Sequence, residues 1–243
     1  MIGNRSVLVI VPARGGSKGI PRKNLLDLRG RPLVSWPIQA ALSSKYVDRI
    51  ICSTDDEEIA KVAISCGAEV PFLRPKELAI DETSTADVLL HVLDRLEAEG
   101  ETYDYLVLLE PTSPLTTAED VNAGIELLDS NHELFDSLVT VTQSISGHPD
   151  FTFNLESDGL SLTSITGPGW KLRRRQEISK LFFVEGTFYM SKISTFRDYS
   201  LFIQERTIGL EVPRWKSFEI DDPLDVIIIE AIIDNLEKIK TEE

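Results

Sequence analysis

Several residue types are scarce in this chain of 243 residues, and each scarcity excludes a class of protein. Two cysteines, Cys52 and Cys66, cannot build a disulfide framework or a four-cysteine zinc site, so we expect both to be buried apolar residues. The histidines show no metal-ligand spacing, and we expect them to be structural or surface residues. No apolar run approaches the roughly 20 residues that a membrane-spanning helix needs. The three histidines are His91, His132 and His148.

Positive charge is also scarce, because 25 Lys and Arg face 40 Asp and Glu and leave a formal charge of −15. Nucleic-acid surfaces need excess cations to neutralise phosphates, so we predict no nucleic-acid partner. We also predict no membrane partner. The first apolar run, residues 7–11, is broken by Pro12 and is too short for a signal peptide, which predicts a cytoplasmic location. The basic residues concentrate in two clusters: Arg14, Lys18, Arg22 and Lys23, then Lys171, Arg173, Arg174 and Arg175.

Short apolar runs alternate with amphipathic stretches in the first half, which predicts a mostly parallel sheet covered by helices on both faces, a three-layer α/β/α arrangement. Asp55 is a candidate cap for a helix that stops at Gly67, and Thr116 with Glu119 forms a candidate capping box. Asp222 is a candidate cap for the last helix. The predicted strands are residues 7–11, 48–53, 105–109, 137–142 and 207–212.

A change of pattern follows at about residue 147. Strand-like segments, a turn at Asp158 and Gly159, and the second basic cluster occupy residues 147–191. We interpret this stretch as a small β-rich insertion and not as a second domain, so the prediction is one domain over residues 1–243.

The most informative segment is residues 11–24, Val-Pro-Ala-Arg-Gly-Gly-Ser-Lys-Gly-Ile-Pro-Arg-Lys-Asn. It follows the first buried strand, and the carboxyl ends of strands are where open α/β sheets bind ligands. Its glycines allow backbone N–H groups to approach an anion, while Arg14, Arg22 and Lys23 can reach phosphate oxygens. It matches neither the dinucleotide-binding nor the Walker A pattern. The composition therefore predicts a phosphate-binding loop of another kind.

This loop resembles the glycine-rich signature of the acylneuraminate cytidylyltransferases, within the wider group of CMP-sugar synthetases. The resemblance continues in the family's order almost to the end of the chain. It implies a Rossmann-like nucleotide-binding fold and a nucleotidyltransferase that joins CTP to a nine-carbon acidic sugar such as sialic, legionaminic or pseudaminic acid. The later matching segments are residues 53–60, Arg74-Pro75 with Leu78-Ala79, residues 111–115, residues 174–176 and residues 218–221.

The resemblance also implies roles for individual residues. Arg14, Lys23 and Asp221 would be catalytic. For Thr54 and Asp55 we favour a helix-capping role over a role in the site. Thr112 and Ser113 would face the sugar or form only a proline-bracketed turn. The implied nucleotide-binding set is Ala13, Arg14, Gly15, Gly16, Ser17, Lys23, Asn24, Arg74 and Ser84, and the implied sugar-binding set is Glu110, Thr112, Ser113, Arg174, Gln176, Glu185 and Tyr189.

Glu219 and Asp221 stand two residues apart in a strand-like segment, so their carboxylates share a face and can hold one divalent ion. Oxygen ligands together with substrate phosphates suit Mg²⁺, or Mn²⁺ in its place. The resemblance implies that the enzyme is a homodimer joined through the β-rich insertion. We predict attack of a sugar hydroxyl on the α-phosphorus of CTP, with no covalent enzyme intermediate.

Three positions depart from the family pattern. Glu110 stands where the family usually carries glutamine, Glu185 where it often carries asparagine, and Glu219 replaces the first metal-binding aspartate. The first two changes exchange hydrogen-bond donors for acceptors, so the acceptor sugar is expected to differ from plain sialic acid. Two alternatives stay open: a synthetase for CMP-3-deoxy-octulosonate, and a regulatory protein that binds nucleotide sugars without turnover.

Overall fold

A computed structural model describes residues 1–145, 147–171 and 173–242; the side chains of Arg175 and Glu242 lie outside this description. The strands are β1 (Val7–Pro12), β2 (Asp27–Leu28), β3 (Arg31–Pro32), β4 (Arg49–Ser53), β5 (Tyr105–Leu108), β6 (Ser137–Gln143), β7 (Phe153–Leu155), β8 (Leu162–Ser164), β9 (Phe182–Lys192) and β10 (Thr207–Glu211). The helices are α1 (Ser35–Leu42), α2 (Glu57–Ser65), α3 (Thr85–Ala98), α4 (Ala118–Ser130), α5 (Ile193–Tyr199), α6 (Pro223–Asp234) and α7 (Leu236–Glu242).

Six strands form the central sheet in the order β10-β6-β9-β5-β1-β4. Five of them run parallel, and β9 runs antiparallel between β5 and β6. The predicted mostly parallel sheet is confirmed. Strand β1 is fully buried from Val7 to Val11, because helices cover both of its faces and a run of Val, Leu and Ile suits such a position.

The two faces of the sheet are covered by different helices, which confirms the three-layer arrangement. Val9 and Val11 point into a core with α1, α2 and α4, while Leu8 and Ile10 point into a core with α3 and α5. A third, smaller apolar cluster packs the loop residue Ile20 against Ile220 and α6. Nowhere in the described residues is there a helix of sufficient length and apolar character to span a membrane.

The helix starts correct two sequence predictions and confirm a third. Asp56, not Asp55, caps α2 by accepting from the Glu58 and Ile59 N–H groups. The capping box of α4 pairs Thr117 with Asp120, one residue later than the predicted Thr116 and Glu119, because the tight turn before α4 uses the Thr116 hydroxyl to bond the Ser113 and Thr187 carbonyls. The cap of α6 is confirmed: Asp222 accepts from the Leu224 and Asp225 N–H groups, and Pro223 follows it.

The β-rich segment after residue 147 has two parts. Strands β7 and β8 form a separate antiparallel hairpin, whereas β9 belongs to the central sheet. Residues 182–191 of the predicted insertion are therefore part of the main fold. Cys52 is fully buried in β4, as predicted, but Cys66 at the end of α2 is only half-buried. The hairpin leaves large apolar side chains in solvent: Leu155 is 63%, Leu160 86% and Leu162 65% exposed.

Candidate active site

The loops that follow β1, β4 and β5 meet at one edge of the sheet, because these parallel strands all end there. The end of β1 is tied to the end of β4, where the Ala13 N–H donates to the Ser53 carbonyl at 2.9 Å. Strand β9 brings its early residues to the same edge by running in the opposite direction, and it sets Tyr189 opposite Leu108. The sequence-predicted loop and the residues of β9 thus face one cleft.

The glycine-rich loop, residues 13–24, is held in shape by two hydrogen bonds to its own backbone. The Gly15 N–H donates to Asp55 Oδ1 at 2.9 Å, and the buried Asn24 side chain donates to the Arg14 carbonyl at 2.9 Å. Arg22 adopts a left-handed conformation with φ of 53°. Asp55 therefore positions the loop and does not cap a helix. Gly16 and Ser17 remain at least partly open to solvent beside the cleft.

Lys23 closes the loop onto the segment before α6. Its Nζ donates to the Ile220 carbonyl at 2.9 Å and to Asp221 Oδ1 at 3.1 Å. The Lys23 side chain is 15% exposed, while that of Asp221 is 77% exposed. Gly19 is essential to this closure, because a Cβ atom there would lie 2.1 Å from the Asp221 carbonyl oxygen. Two of the three residues predicted to be catalytic, Lys23 and Asp221, are thus in direct contact.

Two cations of the loop converge on one carboxylate that the sequence analysis missed. Arg14 Nη1 lies 2.8 Å from Asp81, and Lys18 Nζ lies 2.7 Å from the same carboxylate. These contacts hold the pKa of Asp81 below its usual range, with the Lys18 hydrogen bond as the largest cause. The Asp81 carboxylate thus lies between these two cations, in the position where a phosphate group would be bound. Asp81 follows no strand and belongs to no motif, so no signal in the sequence pointed to it.

A cavity of about 240 Å³ lies between the glycine-rich loop and the start of α3, with Arg14, Arg74 and Glu110 in its wall. Arg74 is buried, and its Nε donates to the Ser53 hydroxyl at 3.2 Å, so its guanidinium is held rigidly. Burial lowers the pKa of Arg74 from its ordinary value, but the group stays a cation at neutral pH. The wall of this smaller cavity is polar and contains two cations, Arg14 and Arg74, and two carboxyl groups, Asp81 and Glu110.

A second cavity, of about 570 Å³, opens beside the first and has a mainly apolar wall. Leu108, Phe196 and Phe202 supply much of that wall, while Ser84 at the start of α3 and Tyr189 on β9 supply polar groups. The Ser84 hydroxyl caps α3 and donates to Asp87 at 2.7 Å. The structure therefore places Arg74 and Ser84 in the walls of different cavities, although Glu110 lines both. The aromatic residues of α5 and the loop after it were not predicted.

Three glutamates crowd the end of the cleft nearest β9. Burial, together with the charges of Glu219 and Asp221, raises the pKa of Glu110 to about 7. Burial likewise raises the pKa values of Glu185 and Glu219. The pKa of the Tyr189 phenol is raised by burial and by the charges of Glu110, Glu219 and Glu185, so all three carboxylates lie around one hydroxyl. This end of the cleft is therefore rich in buried carboxyl groups.

Two buried polar atoms at this end have no hydrogen-bond partner within the described chain: Ser113 Oγ and Glu185 Oε1. The other Glu185 oxygen accepts from the Thr187 N–H at 3.1 Å and from its hydroxyl. Gly186 lies so close that a Cβ would be 2.6 Å from Ser113 Oγ and 2.3 Å from Glu219 Oε1. Unpaired buried acceptors and donors are costly, so these atoms are suited to receive a ligand or water. Thr112 takes part through its carbonyl, which accepts from the Ile220 N–H at 2.8 Å.

The donor set near Asp221 fits a magnesium ion that is completed by substrate. The described residues contain no group of three or more His, Cys, Asp or Glu side chains able to form a protein cage for a metal. Mg²⁺ is commonly held by only one or two carboxylates together with phosphate oxygens and water. Asp221 is exposed beside the glycine-rich loop, and the Glu219 carboxylate is fixed by the Gly186 N–H and electrostatically coupled to Asp221. The residues present are compatible with such a site.

Two predicted sugar-binding residues lie outside this cleft. Arg174 and Gln176 are exposed on the turn Arg175–Glu177 that precedes β9, and within the described chain they line neither cavity. The Arg174 N–H bonds Glu177 at 3.2 Å. A role for these two residues at the sugar stays a prediction, and it would require a second chain to bring them to a cleft.

Comparison with known proteins is consistent with this geometry. The family model described as "Cytidylyltransferase" matches residues 8–241. A CMP-N,N'-diacetyllegionaminic acid synthase of Legionella pneumophila is 30% identical over 94% of this chain and 96% of its own length. A pseudaminic acid cytidylyltransferase of Campylobacter jejuni is 41% identical over 53% of this chain and 55% of its own length. An N-acylneuraminate cytidylyltransferase of Streptococcus agalactiae is 30% identical over 90% of this chain, which spans about half of that protein, 51%.

Solved structures agree on the fold. A CMP:2-keto-3-deoxy-manno-octonic acid synthetase in complex with CTP superposes with a TM-score of 0.68 at 17% identity, covering 95% of this chain and 99% of the other. A 4-diphosphocytidyl-2C-methyl-D-erythritol synthase from Anaerococcus prevotii superposes with a TM-score of 0.64 at 13% identity, with the same coverage. At such identities the likeness concerns the fold and not the substrate.

Proposed function

Because this chain belongs to the cytidylyltransferase family, we propose that it transfers the cytidylyl group of CTP to a nine-carbon acidic sugar and releases pyrophosphate. The observation that carries the proposal is the glycine-rich loop: its residue Arg14 lines the smaller cavity, and its cations Arg14, Lys18 and Lys23 are paired with Asp81 and Asp221. Such a loop suits a triphosphate, and the adjoining larger cavity suits a sugar.

The chain's own groups have distinct tasks in this reaction. Arg14 and Lys23 bind the phosphates and stabilise the charge that develops when the bond between the α-phosphorus and pyrophosphate breaks. The new bond joins the sugar hydroxyl oxygen to the α-phosphorus as the bond to pyrophosphate breaks, and the hydroxyl proton passes to the surrounding water. The walls of the two cavities meet at Glu110, which orients the sugar toward the nucleotide. No covalent intermediate with the enzyme is needed.

We propose that Asp221, with Glu219, holds a catalytic Mg²⁺, which Mn²⁺ could replace. When bound, the ion would neutralise phosphate charge beside two carboxylates that otherwise repel CTP. Asp221→Ala should abolish turnover and leave the melting temperature unchanged. Asp222→Ala is the matched control, because Asp222 caps α6 and should lose about 1 kcal/mol of stability while keeping its metal dependence. Normal Mg²⁺-dependent activity of Asp221→Ala would place the metal elsewhere.

The direct test of the function is pyrophosphate release with a panel of nucleotides and sugars. CTP should support turnover, and ATP, GTP and UTP should not. Among acceptors, sialic, legionaminic and pseudaminic acids should exceed the eight-carbon 3-deoxy-octulosonate, because the sequence relatives are named for the first three. Nucleotide binding without any release of pyrophosphate would instead favour the regulatory alternative.

We further propose that the chain acts as a homodimer in the cytoplasm, where CTP is available. The hairpin of β7 and β8 supports this: a small two-stranded sheet with Leu155, Leu160 and Leu162 in solvent is poorly stable alone. A second copy that covers these side chains would also bring Arg174 and Gln176 next to another protein surface.

A further inference from the structure

The loop before α6 contains a lysine that is both buried and paired. Lys216 is 6% exposed, and its ammonium group contacts the carboxylate of Asp120, which is 8% exposed. The Lys216 Nζ also lies 3.4 Å from the Thr117 hydroxyl oxygen. The pair therefore ties this loop to the first turn of α4, far away in the sequence. Lys216 and Asp120 line neither cavity of the cleft, so any effect of the pair on the reaction passes through other residues.

Stability alone does not account for a lysine at this position. A buried ion pair contributes little to stability, because removing two charges from water costs about as much as their attraction returns. Lys216 also lies at the N-terminal end of α4, where the helix dipole favours anions over cations. Asp120 already accepts the Thr117 N–H at 2.8 Å and the Thr117 hydroxyl at 2.9 Å, so the capping box of α4 is complete without the lysine.

The residues that follow Lys216 include the two carboxylates of the proposed magnesium site. Glu219 and Asp221 lie three and five residues after it. Between them, the Ile220 N–H donates to the Thr112 carbonyl at 2.8 Å, and the Ile220 carbonyl accepts from the lysine of the glycine-rich loop at 2.9 Å. Lys216 fixes the other end of this short segment. The two carboxylates are thus carried on a stretch of chain that is anchored on both sides.

We propose that Lys216 is a positioning residue, whose ion pair with Asp120 fixes the places of Glu219 and Asp221 at the edge of the cleft. This inference rests on the proposed function and on its magnesium site. Because Asp120 is itself fixed by the capping box, the lysine is held in one place. A segment that is free at one end can shift by about an ångström, and misplacement of that size can lower a rate by roughly 100-fold.

The test removes both charges of the pair and measures how Mg²⁺ affects the binding of CTP. Lys216→Met combined with Asp120→Asn keeps the side-chain volumes and leaves no unpaired buried charge, so the variant should fold. Calorimetry gives the Kd of CTP with Mg²⁺ and with EDTA. Mg²⁺ should tighten binding by wild type, and this enhancement should fall about tenfold in the variant, as should kcat, because residues that support metal ligands typically have effects of about 10–100-fold. The Kd with EDTA should stay near the wild-type value.

The matched control is Lys192→Met combined with Asp136→Asn. It removes a similar ion pair, whose charged atoms are 2.7 Å apart, from the end of β9 that pairs with the start of β5 and lies away from the cleft. Both the Mg²⁺ effect and kcat should stay at wild-type values in this control. If the control loses them as well, the Lys216 pair acts only through general stability and the inference is wrong.

The remaining outcomes separate this inference from the proposed function. If the Lys216 double variant folds and keeps the wild-type Mg²⁺ effect and kcat, the inference is wrong and the proposed function stands. If wild type releases no pyrophosphate with any acceptor sugar, the proposed function fails, and the Mg²⁺ effect on CTP binding still decides the role of Lys216. No effect of Mg²⁺ on CTP binding by wild type overturns the magnesium site and the inference together.

A thermal melt identifies a double variant that has failed to fold, and Lys216→Arg then takes its place. This variant retains the charge that Asp120 needs, so it should fold. Its guanidinium is longer and planar, so the pair can form only if the segment that carries Glu219 and Asp221 is displaced. The Mg²⁺ effect on CTP binding should therefore shrink, and a wild-type value would overturn the inference.

Discussion

At the scale of single residues, Lys23 connects the glycine-rich loop to the acidic segment before α6. Lys23→Ala removes a charge-assisted contact to phosphate and should lower kcat/KM for CTP by about tenfold or more. Lys61→Ala on the exposed face of α2 removes the same charge far from the cleft and should leave the kinetics unchanged. Steady-state kinetics of both variants, with circular dichroism to verify folding, make the comparison. Wild-type kinetics for Lys23→Ala would remove this lysine from the site.

Glu110 also makes the stability of the protein depend on pH. Its pKa of about 7 lies above the ordinary 4.5, so between these values the folded state holds a proton that the unfolded chain releases. Rising pH therefore destabilises the fold over this window. Glu110→Gln should gain free energy of unfolding relative to wild type from pH 5 to pH 8, by at most about 3 kcal/mol. Urea melts without divalent metal measure this, and parallel curves for the two proteins would contradict the raised pKa.

At the scale of elements, the glycine-rich loop is fixed by close packing and not by left-handed backbone at its glycines. Gly19→Ala would push a Cβ into the Asp221 carbonyl oxygen, so it should cost about 1–3 kcal/mol and raise the KM for CTP. Gly16→Ala is the matched control for stability, because no heavy atom lies within 4 Å of the Cβ it would add. Equal melting temperatures for the two variants would mean that the loop does not close on Asp221.

Strand β9 is the element that completes the cleft. It inserts antiparallel between β5 and β6, and this placement brings Glu185 and Tyr189 to the ends of strands that are distant in the sequence. The β-prone composition of residues 181–191 predicts a strand but contains no information about its neighbours. Pairing partners are chosen by the whole sheet, so the acidic end of the cleft could not be assembled from local pattern alone.

At the scale of the whole molecule, the proposed homodimer depends on the exposed hairpin of β7 and β8. Leu162→Lys places a charge where an apolar contact would form and should shift the protein from dimer to monomer in analytical ultracentrifugation, since stable interfaces bury about 800 Å² per partner. Leu134→Lys, at an equally exposed leucine after α4, should remain dimeric. A wild-type protein that sediments as a monomer would contradict the proposal, as would an unaffected Leu162→Lys dimer.

The sequence by itself determined the strand segments, the buried first strand, the glycine-rich loop and the cap at Asp222, because each depends on residues close together in the chain. The family resemblance placed Lys23 and Asp221 in one site, but it did not predict that the two side chains contact each other. The caps at Asp56 and Thr117 were each missed by one residue. Two neighbouring residues could have capped each helix, and the choice between them depends on which side chain the tertiary structure already uses for another hydrogen bond.

Only the tertiary structure decided which side chains line each of the two cavities of the cleft. Asp81 lies between Arg14 and Lys18 in a loop without a sequence motif, and the aromatic wall comes from Phe196 in α5 and Phe202 in the loop after it. The raised pKa of Glu110 depends on burial and on Glu219 and Asp221, more than 100 residues away. Local sequence fixes which groups are available. Long-range packing decides which of them meet, because burial and charge depend on everything that surrounds a side chain.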